Sequence, residues 1–285
     1  MSRGFRHLLG WWLAAGWEGK LGSLILIALL AAIVIGPLFP GLSPNEITGA
    51  ASYSGITREH WLGTDYLGRD VLARILYGGR VTLSLAFLTA VIGCAGGTAL
   101  GFTAALSRKW ADSVTLALVD LLLSVPAILL ALVVLAGVGP SVPALIFVVS
   151  FIHLVRVTRV ARSLASGVVA LEYVEVAKAR GDSRAQIALH DILPNTIGPV
   201  SVEFGLRLTF SILLLSALSF LGLGVQPPIA DWGAMVRENL TGLRLGAPAA
   251  IAPAAAIAAL TLGINLLIDA NTRRAHSFLE RGVQG

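Results

Sequence analysis

The sequence predicts an all-α polytopic membrane protein with about six transmembrane helices and both termini in the cytoplasm. Three observations lead there. Only 13% of the 285 residues are charged, against 56% hydrophobic, while a soluble domain carries roughly 25% charged residues. The deficit is uneven: uncharged apolar runs recur, each long enough at ~1.5 Å per residue to cross a hydrocarbon core of ~30 Å. Lys and Arg gather in alternate connecting segments. A soluble helical bundle is excluded, because several of its helices would have no polar face to turn to water.

The first span covers residues 21–39 and is closed by Pro40 and Gly41. It reads as a retained span and not a signal peptide, being long and without a small-residue cleavage site. The second, 81–106, stops at Arg108 and Lys109. The third, 113–138, contains Asp120 and Pro126, and the proline is expected to kink it. The fourth, 141–155, is short and runs into Arg156. The fifth, 196–225, contains Glu203 and Arg207. The sixth, 247–268, ends at Asp269, Arg273 and Arg274. With the N-terminus inside, only Arg58, Arg69, Arg74, Arg80, Arg237 and Arg244 fall in outer segments. Arg3, Arg6, Lys20, Arg108, Lys109, Arg156, Arg159, Arg162, Lys178, Arg180, Arg184, Arg273, Arg274 and Arg281 fall in inner ones, which is the positive-inside bias. The chain then divides into residues 1–80 (cytoplasmic N-terminus, first span and outer amphipathic loop), 81–274 (a five-helix core with a cytoplasmic loop at 156–195) and 275–285 (a cytoplasmic tail).

No tandem repeat and no G-x-x-x-x-G-K-[ST] phosphate loop occurs, so the chain does not bind ATP in that way. The single cysteine, Cys94, lies in an apolar run and reads as a packing residue; it can form neither an intramolecular disulfide nor a metal cluster. No metal site, cofactor or nucleic-acid partner is expected. Gly93, Gly97, Gly101 and Ala105 make a small-xxx-small ridge for close helix packing. His153 reads as an interfacial residue near the inner end of the fourth span.

One polar island interrupts the oil. Residues 172–195 read E-Y-V-E-V-A-K-A-R-G-D-S-R-A-Q-I-A-L-H-D-I-L-P-N. Gly181 can take the left-handed conformation that ends a helix. Ser183 and Gln186 have capping-box spacing, and Ala185, Ala188, Leu189, Ile192 and Leu193 share one helical face. Pro194 is expected to end the element. The result is two short helices bent at Gly181, with Glu172, Glu175, Lys178, Arg180, Asp182 and Arg184 facing outward, suited to docking on another protein.

The island resembles the cytoplasmic "EAA" loop of ABC importer permeases, E-A-A-x3-G-x9-I-x-L-P. Glu175, Ala177, Gly181, Leu193 and Pro194 match it, while Val176 and Asp191 stand in place of Ala and Ile. The resemblance implies a type I ABC importer-like permease whose coupling helices carry Glu172, Glu175, Ala177, Gly181, Leu193 and Pro194 into an ATPase cleft. Two further stretches are similar to the dipeptide/oligopeptide/nickel permeases, and within them to the second ("C") subunit. In residues 60–85, Gly63, Thr64, Asp65, Gly68, Arg69 and Asp70 form an outer motif ahead of an amphipathic stripe of Val71, Leu72, Ile75 and Leu76. In residues 218–233 (L-S-F-L-G-L-G-V-Q-P-P-I-A-D-W-G) a span loosens at glycines and sets Trp232 at interface depth. One departure bears on substrate class: Ile212, Leu213, Leu214, Leu215 and Ser216 replace the usual I-L-x-E-A, so a glutamate is absent.

The resemblance implies a non-enzymatic, multi-pass inner-membrane subunit of an ATP-driven importer. Its partners would be lipid, a second permease forming a heterodimer, two ATP-binding subunits that hold ATP and Mg, and an extracytoplasmic solute-binding protein. Peptides, nickel chelates, glutathione-like compounds and opines all fit the permease type. A secondary transporter is the alternative, but it calls for paired intramembrane carboxylates and inverted repeats. Glu203 and Arg207, an i,i+4 pair, and Asp120 are the candidates for the translocation path. An intramembrane charge costs at least about 2.5–3.5 kcal/mol, so the Glu203–Arg207 pair either lines the path or is buried against a neighbouring subunit. Asp120 either shares that role or pairs with a basic residue such as Arg108 or with a group in the partner permease.

Overall fold

A computed structural model describes residues 16–38 and 43–283, with side chains through Arg273. Pro40, Gly41, Arg3 and Arg6 lie outside the described residues, as do the side chains of Arg274 and Arg281. Five helices are long and apolar enough to cross a membrane, or six if one bent pair counts as a span. The chain divides into two compact units, Leu85–Leu214 and the remainder.

In the discontinuous unit, α1 (Trp17–Ile35) ends in a 3₁₀ turn, Gly36–Leu38, and packs along α9 (Ile251–Val283). Small residues bring the two backbones together: a Cβ at Gly22 would lie 2.9 Å from the Gly263 carbonyl oxygen, and one at Gly263 2.9 Å from Leu26. Lipid tails are as apolar as leucine, so close packing of this kind must replace the hydrophobic drive of a soluble core. An ion pair of 3.2 Å between Arg273 and Glu18 joins the helix ends. The last helix continues through the segment expected to be a free tail.

α2 (Val71–Ala105) begins ten residues before the expected span. The amphipathic segment is its first turns, because Asp70 caps the helix by accepting from the Ala73 amide at 2.8 Å and nothing between 71 and 81 breaks it.

In the continuous unit, α3 (Lys109–Leu123) and α4 (Ala127–Val138) replace the single kinked span. They meet at 81°. Pro126 has extended ψ and supplies no amide to continue α3, so the chain restarts as a new helix. α5 (Val142–Val169) is far longer than the fourth span expected. Its basic residues do not end it, because Arg159 pairs with Asp120 at 3.2 Å and Arg162 with Asp112 at 2.5 Å. The Asp120 partner is therefore Arg159 and not Arg108.

The glycine ridge of α2 lies directly on α5. A Cβ at Gly97 would sit 2.7 Å from the Leu154 carbonyl oxygen, and one at Gly101 2.7 Å from that of Thr158; Gly93 abuts His153 and Ser150. α6 (Glu172–Arg180) follows α5, and α7 (Arg184–Phe220) returns across it. Pro194 does not end that helix. Residues Ile187–Ile192 form a π-turn whose last bond runs from the Leu193 amide to Ala188. The wider turn takes up the missing proline amide and gives the ring room.

Gly97→Val should lower stability by at least about 1–3 kcal/mol through overpacking. Gly137→Ala, where a new Cβ meets nothing within 4 Å, should be neutral or slightly stabilising. Thermal unfolding in detergent compares the two, and equal melting temperatures would contradict the packing.

Candidate functional site

The island is a rigid, doubly capped bend. α6 places Glu172 and Glu175 in its first turn and Lys178 and Arg180 in its last, which suits the helix dipole at both ends. Gly181 stands at φ +93°, ψ 16°, where a side chain would be strained. The Gly181 amide donates to Lys178 and the Asp182 amide to Ala177, each at 3.1 Å, closing a Schellman motif. Ser183 and Gln186 then form the expected capping box, with Ser183 N–H donating to Gln186 Oε1 at 2.8 Å. Arg180 bonds Asp182 across the bend and holds its carboxyl below the usual carboxylate range, so both stay charged near neutral pH.

Val174, Ala177, Ile187 and Ile192 are buried in one cluster with Phe102, Ala165 and Val168. Each large apolar side chain buried this way is worth about 1.5–3 kcal/mol, enough to fix the island to the ends of α2 and α5. The buried pair Ile187 and Ile192 is five residues apart, the π-turn spacing. The face read from 3.6-residue spacing is therefore displaced: Ala185 and Leu189 are exposed. Exposed Tyr173, Val176 and Leu189 lie among exposed Glu172, Glu175, Lys178 and Arg184, an apolar surface edged by charge. Of the other matched residues, Ala177 is an anchor, while Leu193 is half-buried and Pro194 exposed.

A polar cluster sits between α2, α5 and α7. Glu203 and Arg207 form the expected pair at 2.9 Å and are mostly buried. Phe210 lies under two guanidiniums, with Arg156 at 4.9 Å and Arg207 at 5.9 Å from the ring centroid. His153, read as an interfacial residue, packs inside this cluster. It is fully buried, edge-on to Phe210 at 5.8 Å, with Nε2 2.6 Å from Ser211 Oγ, which lies 3.1 Å from Thr89 Oγ1. Asp120, by contrast, is exposed and belongs to its pair with Arg159.

In the other unit the 60–70 motif is a buried ionic knot. Fully buried Asp65 accepts from the Leu67 amide (2.8 Å), the Arg69 amide (2.9 Å) and Arg69 Nε (2.7 Å), with Arg74 at 3.4 Å. Glu238, at the end of α8 (Trp232–Glu238), sits 3.1 Å from Arg74 and 3.5 Å from Arg69. Asn239 accepts from the Tyr66 amide at 3.1 Å. Gly63 and Gly68 turn the chain at positive φ against the carbonyls of Ser54 and Ala50. Thr64 accepts from the Ser54 amide at 2.9 Å, and Asp70 meets His60 at 2.8 Å. Trp232, read at interface depth, packs inside the unit. It is fully buried, donating from Nε1 to the Ile75 carbonyl at 2.9 Å.

Residues 97–277 match the model of the family described as "Binding-protein-dependent transport system inner membrane component". A dipeptide transport system permease protein of Alkalihalophilus pseudofirmus is 32% identical over 87% of this chain and 82% of its own length. A glutathione transport system permease protein of Pectobacterium atrosepticum is 34% identical over the same shares. The chain belongs to this family.

It is an ABC importer permease of the peptide type, resembling the C subunit, with the type I permease fold, and it resides in the inner membrane as a multi-pass protein. It is not itself catalytic; the ATPase is in partner subunits. Membership sets aside the secondary transporter and implies a partner permease, ATPases and a binding protein. Among the described residues no group of three or more His, Cys, Asp or Glu is placed to hold a metal ion.

Reading the permease sequence alone missed Glu238, Asn239 and Ser211, and gave His153 no partner. The Asp65–Arg69 spacing of four was visible, but the acid that completes the knot is 164 residues from Arg74. Removing one member of a buried ion pair costs about 3–5 kcal/mol. Asp65→Ala should therefore loosen residues 43–70 and make them sensitive to limited proteolysis while the island stays protected. An unchanged digestion pattern would contradict the knot.

Proposed function

We propose that this permease forms, with a second and different permease, the translocation path of an importer for dipeptides, oligopeptides or related small solutes. Two partner ATPases bind ATP and Mg and power it. Both termini and the island lie in the cytoplasm, as the Lys and Arg distribution favours. The knot and the 226–246 segment face outward, where an extracytoplasmic binding protein delivers cargo. The peptide class is supported by the dipeptide and glutathione relatives.

The observation that carries this reading is the capped bend at Gly181. A rigid knob, anchored by Val174, Ala177, Ile187 and Ile192 and presenting exposed Tyr173, Val176 and Leu189, transmits a push from a partner into α5 and α7. ATP-driven closure of the ATPases moves the knob, and the permeases switch the path between outside and inside. No covalent step occurs in this chain.

Reconstitution with the partner subunits tests the coupling. Gly181→Pro cannot hold φ +93°, and Glu175→Lys reverses charge on the exposed face. Each should abolish the stimulation of ATP hydrolysis by loaded binding protein, and full stimulation in both variants would contradict the coupling role. Arg207→Leu should reduce uptake with assembly intact. Loss of the assembled complex would instead favour a structural pair.

A further inference from the structure

We infer that Arg156, held over the Phe210 ring, binds the carboxylate of the solute in transit. This rests on the reading of the Glu203–Arg207 cluster as part of the path. Arg156 is the fifteenth residue of α5, so about 21 Å of helix precede it at ~1.5 Å per residue. It stands within a span, not in a loop. Arg207 has Glu203 at 2.9 Å, but among the described residues no carboxylate lies within ion-pair distance of Arg156. The cluster of Arg156, Arg207 and Glu203 therefore carries one net positive charge at membrane depth. An uncompensated charge there is costly and marks either a water-filled path or a missing counter-ion.

The geometry selects the counter-ion. Phe210 holds the Arg156 guanidinium by cation–π contact, 4.9 Å from its centroid, without using up its planar fork. That fork matches a carboxylate bidentately. Arg156 remains partly accessible, at intermediate exposure, whereas Nε and Nη1 of Arg207 are buried beside Glu203. Arg156 also lines a recess with Val125, Ala127, Ile152 and Val155, where the span breaks between α3 and α4. One excess positive charge fits a single carboxylate, the group shared by peptides of any sequence.

The test is calorimetric binding to the whole importer complex in nanodiscs, without the binding protein, using alanyl-alanine and its C-terminal amide as probes. The acid should bind about ten-fold tighter than the amide. Arg156→Gln should remove that advantage while changing amide binding less than about two-fold, and Arg156→Lys should recover part of it. No binding of alanyl-alanine to the wild-type complex, or equal loss for acid and amide in Arg156→Gln, would overturn the site. So would loss of the second permease on purifying Arg156→Gln, since that would give the guanidinium to a partner carboxylate. ATP-driven uptake of alanyl-alanine by wild-type proteoliposomes tests the peptide reading separately. Binding without uptake would sink that reading and leave the carboxylate site standing.

Discussion

The backbone contact between α2 and α5 governs the continuous unit. Gly93, Gly97 and Gly101 have no side chains to hold the helices apart, and the carbonyls of Ser150, Leu154 and Thr158 occupy the places their Cβ atoms would take. In lipid this close fit is the main source of helix association. It fixes the rotation of α5, and three features on α5 follow. His153 turns inward to Ser211, Arg156 lies over Phe210, and Arg162 reaches Asp112. The end of α5, with Ala165 and Val168, then forms the seat of the island.

Charge is sorted by how it is compensated. Asp65, Arg69, Arg74 and Glu238 neutralise one another in a buried knot that organises a loop. Asp112, Asp120, Arg159 and Arg162 pair off in twos and allow α5 to continue as helix. The island keeps its charges in the open, edging exposed apolar side chains. The Arg156–Arg207–Glu203 cluster alone among these groups has an unmatched charge. The arrangement separates charges neutralised in buried or paired contacts from charges left open.

Much of this was legible in the sequence. Among the described residues, apolar run length found the five long apolar helices and the bent pair, and Pro126 marked the break in that pair. The bend at Gly181 and the capping box followed from local rules, because glycine at C′ and Ser-x-x-Gln act through neighbouring backbone groups. What was not legible depended on contacts distant in the chain. Pro194 looked like a terminator because a π-turn before it cannot be read from spacing, and that same turn shifted the buried face to Ile187 and Ile192. The buried hydrogen bonds of Trp232 and His153 were not legible either, because their partners, Ile75 and Ser211, lie on helices distant in the chain.

The central claim is that the exposed apolar face of the island meets the motor. A photo-crosslinking amino acid at Val176, an exposed position beside Glu175 and Ala177, tests this within the assembled importer. The account predicts an adduct to an ATPase subunit whose yield changes when ATP is trapped. Adducts confined to lipid or to the second permease, with no ATPase product, would contradict it.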